Sequence, residues 1–369
     1  MRTVGILTSG GDCAGLNAVI ASIVRAGTPL GYRFIGFERG WEGILSPMAY
    51  RELTPDAVRG ISHLGGTILK TTNKGRFGAK AGAGGVKRIP QEILEMARDN
   101  LASVGCEGLI VIGGDGSLSG AMQLAELGVN IVGVPKTIDN DLQRTDRTFG
   151  FSTAVQIVVD AVDRIHSTAT SHDRVIFVET MGRHAGWIAL RAGLAAGAHA
   201  ILLPEFPFSP EDLVKFLADR KARTGSSVVV VAEGAKISDH YVGRANTSGG
   251  EVLLGGVSTH LVNEIEALAP GEFEMRVTVL GHVQRGGSPN APDRMLSKAY
   301  GVAAIKAYHD AHFGHMVRYN CLKMDIVPIA EACGGLKLVD ETTVEYITAR
   351  DLGVFIHGGP LSDVPEELR

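Results

Sequence analysis

The sequence predicts an α/β fold made of two doubly wound domains that face each other across a cleft. Short runs of β-branched residues alternate with segments of helical periodicity, which is the pattern of a parallel sheet covered by helices. The chain has 369 residues, more than one hydrophobic core usually holds. Its 48 glycines gather at the ends of the apolar runs, where they predict turns that approach a ligand closely.

The predicted strands all end in polar or glycine-rich loops. Three strands in the first half of the chain are predicted at residues 3–8, 109–112 and 131–134. Because open α/β sheets bind ligands beyond the carboxyl ends of their strands, the loops after these strands are expected to converge on one site. A second sheet is predicted from four later strands, at residues 174–179, 200–203, 227–232 and 277–280.

Charge and cysteine content limit the possible partners and compartment. The formal net charge of −4 gives no general attraction to nucleic acid or acidic lipid, so an anionic substrate must bind to local cationic clusters. No run approaches the ~20 apolar residues of a membrane span. The four cysteines show neither a CxxC motif nor a disulfide framework. We therefore expect a cytoplasmic protein that binds small molecules, without nucleic-acid or membrane partners.

Two glycine-rich turns follow predicted strands, with the sequences GGD at residues 10–12 and GGDGS at residues 113–117. Backbone N–H groups in such turns, together with the positive end of the following helix, can bind phosphate oxygens. A tight strand-to-helix turn with Asp and Ser as N-caps explains either motif equally well. Neither turn has the Lys and Ser/Thr pair of a Walker loop.

The segment TIDND at residues 137–141 is more specific, since Asp139 and Asp141 lie two residues apart beyond an apolar strand. Phosphoryl transfer needs one group that accepts a hydroxyl proton and a carboxylate that holds Mg²⁺. The alternative interpretation is an Asx-rich turn without catalytic function. Cationic residues also recur near glycines and strand ends, and arginine forks suit a phosphate monoester, although most arginines lie on a solvated surface. These cationic residues are Arg174, Arg183, Arg276, His282 and Arg285.

Together these motifs resemble the 6-phosphofructokinase family. The matching segments occur in the family's order and cover most of the chain up to about residue 310. They are SGGDCAGLN from residue 9, GGDGS from 113, PKTIDND from 135, SHDRV from 171, MGRHAG from 181, PE from 204 and RVTVLGHVQRGGSP from 276.

The resemblance implies a cytoplasmic glycolytic kinase. Its reaction would transfer a phosphoryl group from ATP to the 1-hydroxyl of D-fructose 6-phosphate, giving fructose 1,6-bisphosphate and ADP, with Mg²⁺ as cofactor. The larger, donor-binding domain would comprise residues 1–150 plus about 284–334, and the smaller, fructose 6-phosphate-binding domain residues 151–283 plus about 335–369. The resemblance implies that both domains are Rossmann-like, with the active site in the cleft between them. A homo-oligomer, either a dimer or a tetramer, would share active sites between subunits.

The same resemblance implies residue roles. Asp139 would be the base, Asp115 the Mg²⁺ ligand, and Arg183 a charge partner of the transition state, while Thr137 would touch the transferred group. The donor-binding residues would be Gly11, Trp41, Lys74, Gly113, Gly114, Asp115, Gly116, Ser117 and Lys136. The substrate-binding residues would be Thr137, Asp139, Arg174, Met181, Gly182, Arg183, Glu233, Arg276, His282 and Arg285, with Arg174 and Arg276 supplied by the neighbouring subunit.

The phosphoryl donor is open at this point. Gly116 is similar to the ATP-using branch of the family, where a small residue leaves room for the nucleotide, whereas Lys136 is similar to the pyrophosphate-using branch. We expect ATP, with pyrophosphate as the alternative. A non-catalytic subunit that senses sugar phosphate is a further alternative, but the retained Asp115, Thr137, Asp139 and Asp141 argue against it, because a sensor needs no base.

Overall fold

The computed structural model describes residues 2–72, 75–77, 88–237, 240–245 and 252–356. The chain divides into two compact units. Unit 1 comprises Met1–Thr153 and Arg285–Leu336, and unit 2 comprises Ala154–Gln284 and Lys337–Arg369. Each unit contains its own mixed α/β core with a mainly parallel sheet, so the predicted fold class is confirmed.

The described part of unit 1 contains a seven-stranded sheet in the order β15-β14-β5-β4-β1-β2-β3. Its central strands are parallel, and only the two edge pairs, β2 with β3 and β14 with β15, are antiparallel. The strands are β1 (Arg2–Thr8), β2 (Tyr32–Phe37), β3 (Tyr50–Glu52), β4 (Cys106–Gly113), β5 (Asn130–Pro135), β14 (His315–Asn320) and β15 (Lys323–Pro328).

Amphipathic helices cover this sheet. Nine of the 12 residues of the first helix are buried, and this helix packs on the helix of residues 291–309 where Gly301 has no side chain. A Cβ atom at Gly301 would lie 2.6 Å from the carbonyl oxygen of Val19, so the glycine permits the close approach. The helices are α1 (Leu16–Gly27), α2 (Gln91–Ser103), α3 (Asp115–Glu126), α8 (Ala291–His309) and α9 (Ile329–Ala332).

Unit 2 contains a four-stranded parallel sheet in the order β13-β6-β8-β7, and its described residues also form two short antiparallel ribbons. The sheet strands are β6 (Val175–Thr180), β7 (Ala200–Leu202), β8 (Ser227–Ala232) and β13 (Met275–Val279). The ribbon strands are β9 (Lys236–Ile237), β10 (His240–Tyr241), β11 (Gly243–Ala245) and β12 (Val252–Leu254). The helices are α4 (Phe151–Ser171), which begins in unit 1, α5 (Trp187–Ala195), α6 (Pro210–Thr224), α7 (Val257–Leu268) and α10 (Val344–Asp351).

All seven strands predicted from the sequence are present, with ends displaced by at most a few residues. Because neighbouring central strands are parallel, their carboxyl ends lie at one edge of each sheet, and the motif-bearing loops follow at that edge. Within the described residues, no helix combines the length and the apolar character that crossing a membrane requires.

Candidate active site

The three glycine- and aspartate-containing loops after β1, β4 and β5 meet in unit 1. We call residues 9–12, 113–117 and 135–141 the loop cluster. The backbone N–H of Ser9 donates to the carbonyl of Ile112 at 3.0 Å, and that of Lys136 donates to the carbonyl of Gly113 at 2.9 Å. The structure thus brings together the predicted donor-binding residues Gly11, Gly113–Ser117 and Lys136, as the parallel topology requires.

The turn at Gly10 and Gly11 lies between two cationic side chains. The Lys136 ammonium donates to the carbonyl oxygen of Gly11 at 2.5 Å, and Arg285 donates to the carbonyl of Asp12 at 3.2 Å. A Cβ atom at Gly11 would lie 2.5 Å from the Arg285 guanidinium, so a side chain at this position would displace the end of the Arg285 side chain. Burial lowers the pKa of Lys136. Arg285, predicted to bind the substrate, therefore lies with the predicted donor-binding residues in unit 1.

The GGDGS segment forms the N-terminus of α3. Gly114 precedes the helix in an extended conformation, and Asp115 is its first residue. At Gly113 an added side chain would collide with Ser117, so the turn is as tight as the sequence predicts. The first N–H groups of a helix have no intrahelical acceptor and carry the positive end of the dipole. Since α3 is 12 residues long and starts inside the loop cluster, these groups are suited to an anionic ligand.

A carboxylate pair follows β5. Asn140 has a φ of 53°, and its side chain accepts the backbone N–H of Thr148 at 3.0 Å, which fixes the turn between Asp139 and Asp141. The Thr137 hydroxyl accepts the N–H of Asp139 at 3.0 Å and also hydrogen-bonds to Asp141. Burial, with a further contribution from the charge of Asp139, raises the pKa of Asp141 to about 7. Two carboxylates are thus held together in a partly desolvated site.

Asp115 is held by a segment in which the sequence showed no motif. One of its carboxylate oxygens accepts the backbone N–H of Gly334 at 3.1 Å, and the Cys333 thiol contacts its backbone carbonyl at 3.8 Å. Burial raises the pKa of Asp115. Sequence reasoning missed this contact because a backbone N–H leaves no residue signature. The available sequence signal for this contact was the glycine pair formed by Gly334 itself and Gly335.

Two of the predicted donor-binding residues, Trp41 and Lys74, are not part of the loop cluster. Trp41 lies beside the loop after β1, but its ring is stacked on Phe77 with centroids 4.2 Å apart and is only 5% exposed. Most of the indole surface therefore packs in the core of unit 1, and a nucleotide contact by Trp41 stays a prediction. Lys74 lies outside the described residues.

In unit 2, loops after three parallel strands bring together Met181, Gly182, Arg183, Glu233 and His282. The Met181 N–H donates to Gln284 at 3.3 Å, which joins the loop after β6 to the short helix that contains His282. The Arg183 N–H donates to the Glu233 carboxylate at 3.1 Å. Gly182 has a φ of 140°, and a Cβ atom there would lie 2.5 Å from the carbonyl oxygen of Ala185. These five predicted substrate-binding residues share one edge of the sheet.

Arg174 and Arg276 lie at the opposite edge of the same sheet. Arg174 immediately precedes β6, and Arg276 is the second residue of β13, so both are near the amino ends of parallel strands. Both side chains contact one carboxylate oxygen of Glu274, at 2.7 Å from Arg174 and 2.8 Å from Arg276. The hydrogen bond from Arg174 lowers the pKa of Glu274. Within one chain the structure does not bring these arginines to the other predicted substrate-binding residues.

The chain has extensive similarity to known proteins. The family described as phosphofructokinase matches residues 3–308. A relative from Chloroflexus aurantiacus, named ATP-dependent 6-phosphofructokinase, is 46% identical over 362 residues, which cover 96% of this chain and 97% of the relative. A relative from Streptomyces coelicolor, named pyrophosphate–fructose 6-phosphate 1-phosphotransferase, is 47% identical over 357 residues, which cover 95% of this chain and 99% of the relative.

The fold is similar to that of solved structures as well. A phosphofructokinase from Saccharomyces cerevisiae has a TM-score of 0.76 and 30% sequence identity, and the match covers 90% of this chain but 45% of the yeast chain. The chain thus spans less than half the length of that yeast chain. Relatives named for either phosphoryl donor are almost equally identical to this chain, so overall similarity does not distinguish the donors.

Proposed function

Since the chain belongs to the phosphofructokinase family, we propose that it transfers the terminal phosphoryl group of ATP to the 1-hydroxyl group of D-fructose 6-phosphate. The products are fructose 1,6-bisphosphate and ADP. The observation that carries this proposal is the loop cluster of unit 1, where the N-terminus of α3 lies with the Asp139–Asp141 pair and Lys136. An anion-binding turn beside a candidate base is what phosphoryl transfer requires.

We assign the chemical steps to residues as follows. Asp139 accepts the proton of the 1-hydroxyl group as the oxygen attacks the terminal phosphorus atom, and the bond to the bridging oxygen breaks as ADP leaves. Thr137 bonds to both Asp139 and Asp141, so it orients the carboxylate pair and contacts the transferred group. Lys136 and the backbone N–H groups at the start of α3 bind the negative charge of the donor phosphates. Arg183 offsets charge that develops in the transition state.

The residues fit Mg²⁺ as the cofactor. Mg²⁺ in such enzymes is bound by one or two carboxylates together with phosphate oxygens and water. Asp115 supplies a carboxylate at the start of α3, and its charge contributes to raising the pKa of Asp141, so the two groups lie near each other. The described residues contain no group of three or more potential ligands that would hold a metal alone. When bound, Mg²⁺ would neutralise charge on the donor phosphates.

The choice of ATP rests on Gly116. This glycine follows Asp115 within the first turn of α3, so no side chain occupies the space beside the donor phosphates. An acidic side chain there would add bulk and repel a phosphate strongly in a partly desolvated cleft. Lys136 is compatible with both donors, because an ammonium group can contact the terminal phosphates of either. Pyrophosphate remains the second candidate, favoured by Lys136 and by the name of the Streptomyces relative.

Initial rates with each donor test this proposal. We expect kcat/KM with MgATP to exceed that with pyrophosphate at least about tenfold, a difference of about 1.4 kcal/mol in transition-state binding. The two donors are compared at equal free Mg²⁺ and saturating fructose 6-phosphate. Turnover with pyrophosphate but not with ATP would reverse the donor assignment. An absence of turnover with both donors would reject the phosphotransferase proposal itself.

We propose further that the active protein is a cytoplasmic homo-oligomer in which Arg174 and Arg276 bind the 6-phosphate in a neighbouring subunit's site. Their position at the opposite sheet edge from Met181 and His282 supports this arrangement. Arg174→Ala and Arg276→Ala are each expected to raise the KM for fructose 6-phosphate, because a charge-assisted phosphate contact is lost.

Mixed oligomers distinguish active sites that are shared between subunits from active sites that are formed within one chain. Chains carrying Arg276→Ala are mixed with chains carrying Asp139→Ser, dissociated and reassembled. If sites are shared, some sites combine an intact Asp139 from one chain with an intact Arg276 from the other, and activity returns. Separately reassembled single variants are the control. Mixed oligomers no more active than these controls would refute the shared site.

A further inference from the structure

The carbonyl groups of the Gly10–Gly11 turn are both bound by side chains from other parts of unit 1. The Thr71 hydroxyl donates to the carbonyl oxygen of Gly10 at 2.6 Å, and the Lys136 ammonium donates to that of Gly11 at 2.5 Å. Carbonyl oxygens carry partial negative charge and would repel a phosphate if they turned toward it. The two hydrogen bonds hold these oxygens in place and so favour presentation of N–H groups to an anion.

Thr71 is itself placed by a hydrogen-bonded segment. Asn17, which is 1% exposed, donates to the carbonyls of Leu64 at 3.2 Å and Gly65 at 3.1 Å, and accepts the N–H of Ile68 at 2.8 Å. One amide side chain in α1 thus uses both its donor and its acceptor groups on this segment. Such a buried and satisfied polar group specifies a single backbone conformation.

A second set of hydrogen bonds continues from this segment to Thr71. The Thr8 hydroxyl donates to the carbonyl of Lys70 at 2.9 Å, and it bonds to the Thr67 hydroxyl at 3.0 Å. Because the single proton of Thr8 is used on Lys70, the Thr67 hydroxyl must be the donor of that pair. The end of β1 is therefore tied to the segment directly before Thr71.

We propose that Asn17 and Thr71 are positioning residues for the phosphoryl donor. Asn17 fixes the backbone of residues 64–68, this segment places Thr71, and Thr71 holds the Gly10 carbonyl away from the donor phosphates. Gly10 has a φ of 84°, a conformation that glycine adopts readily and that needs a fixed partner because glycine is otherwise flexible. This inference rests on the proposed function, because it takes the bound anion to be the phosphoryl donor.

Thr71→Val tests the proposal, since valine keeps the shape of threonine and removes its hydroxyl. We expect the KM for MgATP to rise about five- to tenfold, the effect of one lost hydrogen bond beside a charged ligand, while the KM for fructose 6-phosphate changes less than about twofold. Thr71→Ser should restore the wild-type KM. Thr54→Val is the matched control, because the Thr54 hydroxyl accepts the nearby N–H of Ala57 on an exposed turn. An unchanged KM for MgATP, or an equal rise in both KM values, would overturn the proposal.

Asn17→Ala should reproduce the donor-specific rise in KM. In the double variant with Thr71→Val the two effects should be less than additive, because both residues act through the same segment. Full additivity would show that Asn17 acts by another route and would contradict the proposal.

Amide hydrogen exchange of the free protein provides a test that does not depend on the donor. Thr71→Val should accelerate exchange in the peptide containing Gly10 and Gly11, whereas Thr71→Ser and Thr54→Val should not. Unchanged exchange in this peptide would overturn the positioning role. If the wild-type protein used neither ATP nor pyrophosphate, the proposed function would fail, while the exchange experiment would still decide whether Thr71 holds the turn.

Discussion

Replacing Asp139 by serine is expected to lower kcat by roughly 10²- to 10⁴-fold, the usual contribution of a positioned general base. Asp139 as a residue is 6% exposed, and its backbone N–H donates to the Thr137 hydroxyl. Serine lacks a group that accepts the hydroxyl proton at neutral pH. Because the carboxylate acts mainly in the transition state, the KM for fructose 6-phosphate should change little. The measurement is a steady-state rate series at saturating MgATP.

A matched variant distinguishes the loss of the catalytic base from a loss of the folded structure. Asp139→Asn keeps the size and shape of the side chain and removes only the basic carboxylate, so it should lose nearly as much activity as the serine variant. Both proteins should unfold at a temperature close to that of the wild type. Turnover near the wild-type level in either variant would remove Asp139 from the role of base.

Introducing aspartate at Gly116 is expected to abolish most activity with ATP. The residue lies in the first turn of α3, and its backbone is not in the left-handed region, so its backbone conformation does not itself require glycine. An acidic side chain at a helix N-terminus also stabilises the helix, so unfolding is not the expected cause of the loss. The charge would instead face the donor phosphates. We expect kcat/KM for MgATP to fall by more than about tenfold.

The effects of side-chain charge and side-chain size on ATP activity can be distinguished at position 116. Gly116→Asn adds the same bulk without the charge, and it should retain more ATP activity than Gly116→Asp if repulsion dominates. The ratio of pyrophosphate to ATP turnover should rise in the aspartate variant, because Lys136 can still contact a smaller donor. A Gly116→Asp protein with wild-type ATP kinetics would show that residue 116 does not face the donor.

Much of the fold was predictable because the local pattern of apolar runs and turns agrees with the parallel topology of the sheets. The strands at residues 3–8, 109–112 and 131–134 were recognised as apolar runs that end in glycine or polar turns, and all three are buried in the structure. Convergence of the loops after them followed from the parallel order of the sheet. The antiparallel edge strands were not predicted. β3 is a three-residue, fully exposed strand, and β15 is partly polar, so neither has the continuous apolar run of a central strand.

The site was less predictable where contacts use backbone atoms or depend on the fold. Gly334 binds Asp115 through its backbone N–H, a group that every residue except proline carries and that the sequence therefore does not single out. Arg285 was grouped with the sugar-phosphate residues, but only the folded chain places its guanidinium against Gly11. Similarly, the resemblance implies a donor contact for Trp41, and only the structure reveals Phe77 stacked on its ring.

The distribution of the two units along the chain has a consequence for biosynthesis. Each unit takes its residues from two separate stretches, and both receive essential parts late. β14 and β15 complete one side of the sheet in unit 1, and Phe355, fully buried, bonds to His199 and Ile201 beside β7 in unit 2. A nascent chain that has already emerged with every catalytic motif still lacks these parts. All the catalytic motifs are therefore synthesised before the last parts of either unit, and until those parts arrive the chain exposes apolar surface that the complete fold buries.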